Sequence, residues 1–90
     1  ENCLTHVYLG RSYLELKETA SAVAELEKAT SFCQEVDVDD AHFYCAIALY
    51  RNKQRDRAII RFEELIRLFP NSKNIDRARK MLEVIKKDTL

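Results

Sequence analysis

Tryptophan is absent from the 90 residues, and glycine and proline occur once each. So few turn formers leave little room for the tight hairpins of a β-sheet. Long apolar runs are missing too: no stretch approaches the ~20 residues of a membrane span, and no basic-then-apolar leader opens the chain. It is therefore expected to be soluble and not to insert into membranes. It begins at Glu1 rather than methionine, which points to a piece or processed form of something longer. Catalytic signatures are lacking as well. There is no glycine-rich phosphate loop and no serine in a nucleophile elbow, and neither His6 nor His42 has a local carboxylate at the spacing of a base and its orienter. Neither an enzyme nor a cofactor is expected.

An excess of one charge is also missing, since 15 basic residues balance 15 acidic ones. That argues against electrostatic capture of nucleic acid or of an anionic membrane. The balance conceals a gradient. Residues 1–45 hold three basic and nine acidic side chains, a net −6, whereas residues 46–90 hold twelve and six, a net +6. Halves of opposite sign suit head-to-tail stacking of copies; the alternative is two independently solvated surfaces.

Three cysteines, Cys3, Cys33 and Cys45, cannot all pair within one chain. An odd count at wide spacing is no disulfide framework, and small thiols are common core residues. A reducing, cytoplasmic setting is favoured, with one disulfide plus one free thiol in an oxidising compartment left open. Cys3-x-x-His6 and His42-x-x-Cys45 have the look of zinc half-sites. Equivalent positions on neighbouring helix pairs stand about 10 Å or more apart, too far for a shared metal, so packed thiols and histidines are expected and no metal site. Asp37, Asp39 and Asp40 lack the glycine and distal glutamate of a calcium loop, and Asp39 or Asp40 reads as a helix cap. Arg51, Lys53, Arg55 and Arg57 read as a solvated helix end and turn, with an acidic partner surface as the alternative.

What the chain does contain is self-similarity. A shift of 36 residues places His6 on His42, Tyr8 on Tyr44, Gly10 on Ala46, Lys17 on Lys53, Ala22 on Ala58, Leu26 on Phe62 and Glu27 on Glu63. Apolar ladders repeat with it: Ala22, Val23, Leu26, Ala29 and Cys33, then Ala58, Ile59, Phe62, Leu65 and Phe69. This spacing follows one face of a helix with 3.6 residues per turn, where a strand would alternate. Five helices are predicted, near 3–16, 19–33, 39–52, 55–69 and 73–87, with Pro70 and Asn71 ending the fourth and Ser72 capping the fifth. Connectors of a few residues require antiparallel neighbours.

A helix pair at this period carrying Leu9, Gly10, Tyr13, Ala22, Leu26 and Ala29 resembles the tetratricopeptide repeat, and Ala46, Ala58, Phe62, Leu65 and Pro70 continue the match. His6 and His42 stand where the family commonly has tryptophan, and Cys45 and Leu49 depart from its leucine and tyrosine. "RFEELIRLFPNSKNIDRARKML" is also similar to repeats frequent in bacterial cell-envelope assembly proteins, although the first repeat lacks the Phe-Pro-x-Ser turn; a periplasmic or envelope location is thus the alternative. The resemblance implies an all-α, right-handed solenoid in one domain over 1–90: a repeat at 3–36, a repeat at 39–72 and a terminal helix at 73–90. Ile75, Ala78, Leu82 and Ile85 would cap the second hairpin.

The resemblance further implies a noncatalytic adaptor whose concave face binds a peptide or helix of a partner protein. The usual groove positions carry over to Leu4, Val7, Arg11, Leu14 and Glu15, to Asp40, Phe43, Ile47, Tyr50 and Arg51, and to Asn74, Arg77 and Met81. Val7, Leu14, Phe43, Ile47 and Tyr50 would form an apolar patch if exposed; otherwise helices of the chain itself cover it. Val7 and Phe43 replace the lysine, and Arg11 and Ile47 the asparagine, of the family's carboxylate clamp, so that clamp is not expected. A segment with apolar and acidic residues, its carboxylates meeting Arg11, Arg51 or Arg77, is the expected ligand. The alternative function is self-assembly into a homo-oligomer through the oppositely charged halves.

Overall fold

The computed structural model describes residues 3–33 and 38–88. They form α1 (Cys3–Glu15), α2 (Thr19–Phe32), α3 (Val38–Arg51), α4 (Arg55–Leu68) and α5 (Ile75–Lys87), with no strand among the described residues. Each helix packs on the next, and α1 also touches α3, the stacking of an all-α helical repeat.

The two short connectors have the same geometry, 36 residues apart. Lys17 (φ 63°) and Lys53 (φ 64°) take the left-handed conformation just beyond α1 and α3. Lys17 N–H donates to the Leu14 carbonyl (3.0 Å) and Glu18 N–H to that of Tyr13 (2.9 Å); Lys53 and Gln54 do the same to Tyr50 (3.0 Å) and Leu49 (2.8 Å). These paired bonds satisfy the last carbonyls of each helix and reverse the chain within three residues. The start of α2 also touches the second connector, because Thr19 Oγ1 donates to Asn52 Oδ1 at 2.9 Å.

Between the helices the apolar ladders meet. Leu26, Phe43, Leu49, Phe62, Leu65 and Ile85 are fully buried, and Ala22, Ala46, Ala58 and Ala78 keep the backbones close. Gly10 marks the tightest approach. A Cβ there would lie 2.4–2.9 Å from three side-chain atoms of Leu26, so only glycine fits unless Leu26 moves. Phe43 and Phe62 meet edge to face, centroids 6.2 Å apart. The amphipathic α5 closes this core with Ala78 and Ile85 inward, Ile75 and Leu82 half-buried, and Arg79, Lys80, Glu83 and Lys86 exposed. Arg55 Nε donates to the Ile85 carbonyl at 3.2 Å, and Lys86 pairs with Glu63 at 3.2 Å, tying α5 to α4.

Two local expectations need correction. Asp39 and Asp40 lie inside the first turn of α3 rather than at its cap. Their carboxylates instead hold the α4–α5 connector: Ser72 Oγ donates to Asp39, Asn74 Nδ2 donates to Asp40 (2.6 Å), and Lys73 pairs with Asp40 (3.3 Å). Ser72 does not cap α5 directly; its Oγ accepts from Asn74 N–H (3.0 Å), and Asn74 holds the cap position. Asp37 lies outside the described residues.

The cysteines also differ from the favoured reading. Cys3 and Cys33 form a disulfide with Cα atoms 4.9 Å apart, stapling the start of α1 to the residue that ends α2. Antiparallel packing brings these two hairpin ends together, a proximity that linear spacing does not disclose. Cys45 alone is a free thiol, fully buried in the main core. Burial pushes that thiol up to about 11, so it stays protonated and unreactive in the folded chain.

Candidate partner-binding cleft

Each histidine fills an equivalent place in its own hairpin. His6 stacks on Phe32 with centroids 5.2 Å apart, and its Nδ1 lies 2.8 Å from Glu25 Oε2. The hydrogen bond to His6 is the main reason that the Glu25 carboxyl titrates below its usual range. His42, buried against Phe69 (5.6 Å), faces Arg61 Nη1 at 3.5 Å. Burial first and the Arg61 charge second hold its imidazole below the ordinary histidine value. With Cys3 in a disulfide and His6 on Glu25, the Cys3-x-x-His6 pair is engaged in structural contacts.

The expected apolar patch is not open. Val7, Leu14, Phe43 and Ile47 are buried, at 2%, 7%, 0% and 7% exposure. Val7 joins a small cluster with Ala29, Cys33 and Ala41, whereas Phe43 lies against Phe62 and beneath Arg77, whose guanidinium stands 4.7 Å from its ring centroid. Tyr50 is half-buried, its hydroxyl donating to Asp88 Oδ2 at 2.7 Å, and that bond raises its own titration. Asp40 and Asn74 bond each other, as described above. The chain's own helices therefore cover most of the apolar residues at the assigned groove positions.

What remains accessible is a polar rim around a small apolar floor. Arg11, Leu14 and Glu15 from α1, Tyr44, Ile47 and Arg51 from α3, and Arg77 from α5 line one cleft of about 260 Å³. Five of these, Arg11, Leu14, Ile47, Arg51 and Arg77, are among the residues singled out from the sequence, and Glu15 lies at a carried-over groove position. Tyr44 is an addition. Its signal was the Tyr8–Tyr44 recurrence, but a repeat match does not tell which face a ring presents. Tyr44 carries the Arg11 guanidinium 4.6 Å from its centroid, with Tyr8 contributing a second, longer contact at 5.9 Å. Such stacking orients a guanidinium while leaving its edge free to donate hydrogen bonds.

Charge distinguishes this cleft from a second one of about 250 Å³, lined by Leu49, Arg57, Ile60, Arg61 and Glu64. There Arg57 and Arg61 already meet Glu27 of α2, at 2.9 and 3.9 Å. Among the described residues, no carboxylate lies within 4 Å of the Arg11, Arg51 or Arg77 guanidinium. Three arginines against Glu15 leave the first cleft with an excess of positive charge. No described helix is long and apolar enough to cross a membrane.

Residues 40–72 match the family described as tetratricopeptide repeat. No curated protein and no solved structure matches the chain. Repeats of this family generally mediate contacts between proteins and are typically noncatalytic. The matched segment takes in most of α3, all of α4 and the first part of the connector to α5, and the turn after α1 repeats the geometry of the turn after α3. The match and the helical-repeat architecture together identify residues 40–72 as similar to a tetratricopeptide repeat.

Proposed function

We propose that the chain is an adaptor, two repeats over 3–36 and 39–72 followed by a terminal helix, which takes an acidic segment of a partner protein into the Arg11–Arg51–Arg77 cleft. The observation that carries this reading is the convergence of three arginines, two of them resting on aromatic rings, with no carboxylate paired to any of them among the described residues. Guanidinium and carboxylate form charge-assisted, often bidentate hydrogen bonds, so a carboxylate is the complementary group. The tetratricopeptide-repeat match supports a protein ligand over a small molecule. The Cys3–Cys33 disulfide supports an oxidising compartment such as the cell envelope over the cytoplasm, because reducing compartments keep such pairs open.

Stacking of copies through the charged halves has less support. Glu27 meets Arg57 and Arg61, and Asp40 meets Lys73, so part of the opposition is neutralised inside one molecule.

The adaptor reading is tested by selecting binders from a random twelve-residue peptide library displayed against the folded chain. Enriched peptides are expected to carry acidic and apolar side chains and to bind Arg51→Gln or Arg77→Gln about tenfold more weakly, the order of one charge-assisted bond. Binders indifferent to both substitutions would refute the assignment of the cleft.

A further inference from the structure

The distribution of charge within the cleft specifies its ligand more closely, given the acidic-segment reading on which this inference rests. The three guanidiniums reach the cleft from three different helices, Arg11 from α1, Arg51 from α3 and Arg77 from α5. α1 packs on α2 and α3, whereas α5 packs on α4 and sends Arg77 over Phe43 of α3. Arg11 and Arg77 therefore approach from separate elements, each held on its own ring, Tyr44 and Phe43. The same cleft has an apolar part, built from the edges of Leu14 and Ile47 with Tyr44.

A single carboxylate can take one bidentate guanidinium and leaves the others unmatched. Two carboxylates set apart along a peptide, with an apolar side chain between them on the same face, match both the rim and the floor. The net charge agrees, since three arginines and Glu15 leave two positive charges to be met. We infer that the cleft recognises an extended segment of the form acidic-x-apolar-x-acidic in a partner protein. In an extended chain, residues i, i+2 and i+4 share a face and span about 13 Å.

Fluorescently labelled peptides centred on Glu-Ser-Leu-Ser-Glu, with serine and glycine flanks, test the inference by anisotropy against the intact, disulfide-bonded chain. Changing either glutamate to glutamine is expected to weaken binding about five- to tenfold, and changing leucine to serine by a similar factor. Arg11→Gln and Arg77→Gln should each erase the preference for two glutamates over one. Both variants are checked for an unchanged thermal midpoint, and Arg11→Lys, which keeps the charge but loses the bidentate fork, provides a second reading at Arg11. Arg79→Gln, an exposed charge on α5 outside the cleft, should leave binding unchanged.

Equal affinity for peptides with one and two glutamates would overturn the inference while leaving the adaptor reading intact. Tighter binding of a peptide with one phosphoserine and no glutamate would overturn it in favour of a point dianion. Equal weakening by Arg79→Gln would reduce the effect to general electrostatics and overturn it as well. If no peptide, designed or selected, depends on the cleft arginines, both the inference and the adaptor reading fall.

Discussion

Two lysines occupy positions that favour glycine. Lys17 and Lys53 hold φ near +60° in turns that end α1 and α3, and a side chain there costs about 1–2 kcal/mol through its Cβ. Glycine removes that clash but loses more entropy on folding, about 0.5–1 kcal/mol. The net expectation is that Lys17→Gly and Lys53→Gly each stabilise the fold by about 0.5–1 kcal/mol, measured by urea unfolding. The reverse logic applies at Gly10, whose place is set by the Leu26 side chain and not by its φ.

His42 makes a second prediction at this scale. Its imidazole titrates below the ordinary value of 6.5 in the folded chain because it is buried beside Arg61, with the charges of Glu64 and Asp39 opposing the shift. Just below pH 6.5 the unfolded chain binds a proton that the folded chain refuses, so stability falls as the pH drops through that window. Thermal midpoints from pH 7.5 to 5.5 should decline, and His42→Gln should flatten the decline. An NMR titration placing the His42 midpoint above 6.5 would reverse the sign.

At the scale of elements, α1 depends on two different attachments. Gly10, Leu14 and Val7 pack it on its neighbours, and the disulfide ties its first residue to the end of α2. A cross-link between residues 30 apart in sequence restricts the unfolded chain by about 3–4 kcal/mol in the loop-entropy treatment. Reduction, or Cys33→Ser, should therefore lower the unfolding free energy by roughly that amount while α3–α5 keep their helical signal. Hydrogen exchange should show the loss of protection concentrated in α1 and the end of α2. A uniform loss would mean that the helices unfold as a single unit.

The helices themselves were largely legible in the linear pattern. Apolar residues at helical spacing, scarce glycine and proline, and Pro70 at a helix end placed the five helices to within about two residues. The errors have a common cause. Asp39 and Asp40 have the residue type of a cap but are drawn to Ser72, Lys73 and Asn74 across a connector more than thirty residues away. Local preference was outweighed by a tertiary partner.

For the whole molecule, the separation of charge along the chain is partly undone by folding. Glu27 comes to Arg57 and Arg61, and Asp40 to Lys73, so acidic and basic halves meet within one solenoid. Sedimentation equilibrium at low and high salt should accordingly give one mass, that of the monomer, across a range of concentrations. A salt-sensitive oligomer would instead restore stacking of copies as the leading alternative, because exposed charge pairs between molecules are screened within about 10 Å at 0.1 M salt.

By itself the sequence determined the helical class, the 36-residue period and the resemblance to the tetratricopeptide repeat, because these rest on local spacing and on which residues are small or large. It also picked out Arg11, Arg51 and Arg77, since a resemblance carries positions from one chain to another. Only the tertiary structure decided where those positions lie. Burial is a property of what lies opposite, so Val7 and Phe43 became core when α2, α4 and α5 closed over them. Pairing is likewise a property of distance in space: Cys3 found Cys33, Glu27 found Arg57, and the three arginines gathered on one cleft with no ion pair to a carboxylate among the described residues.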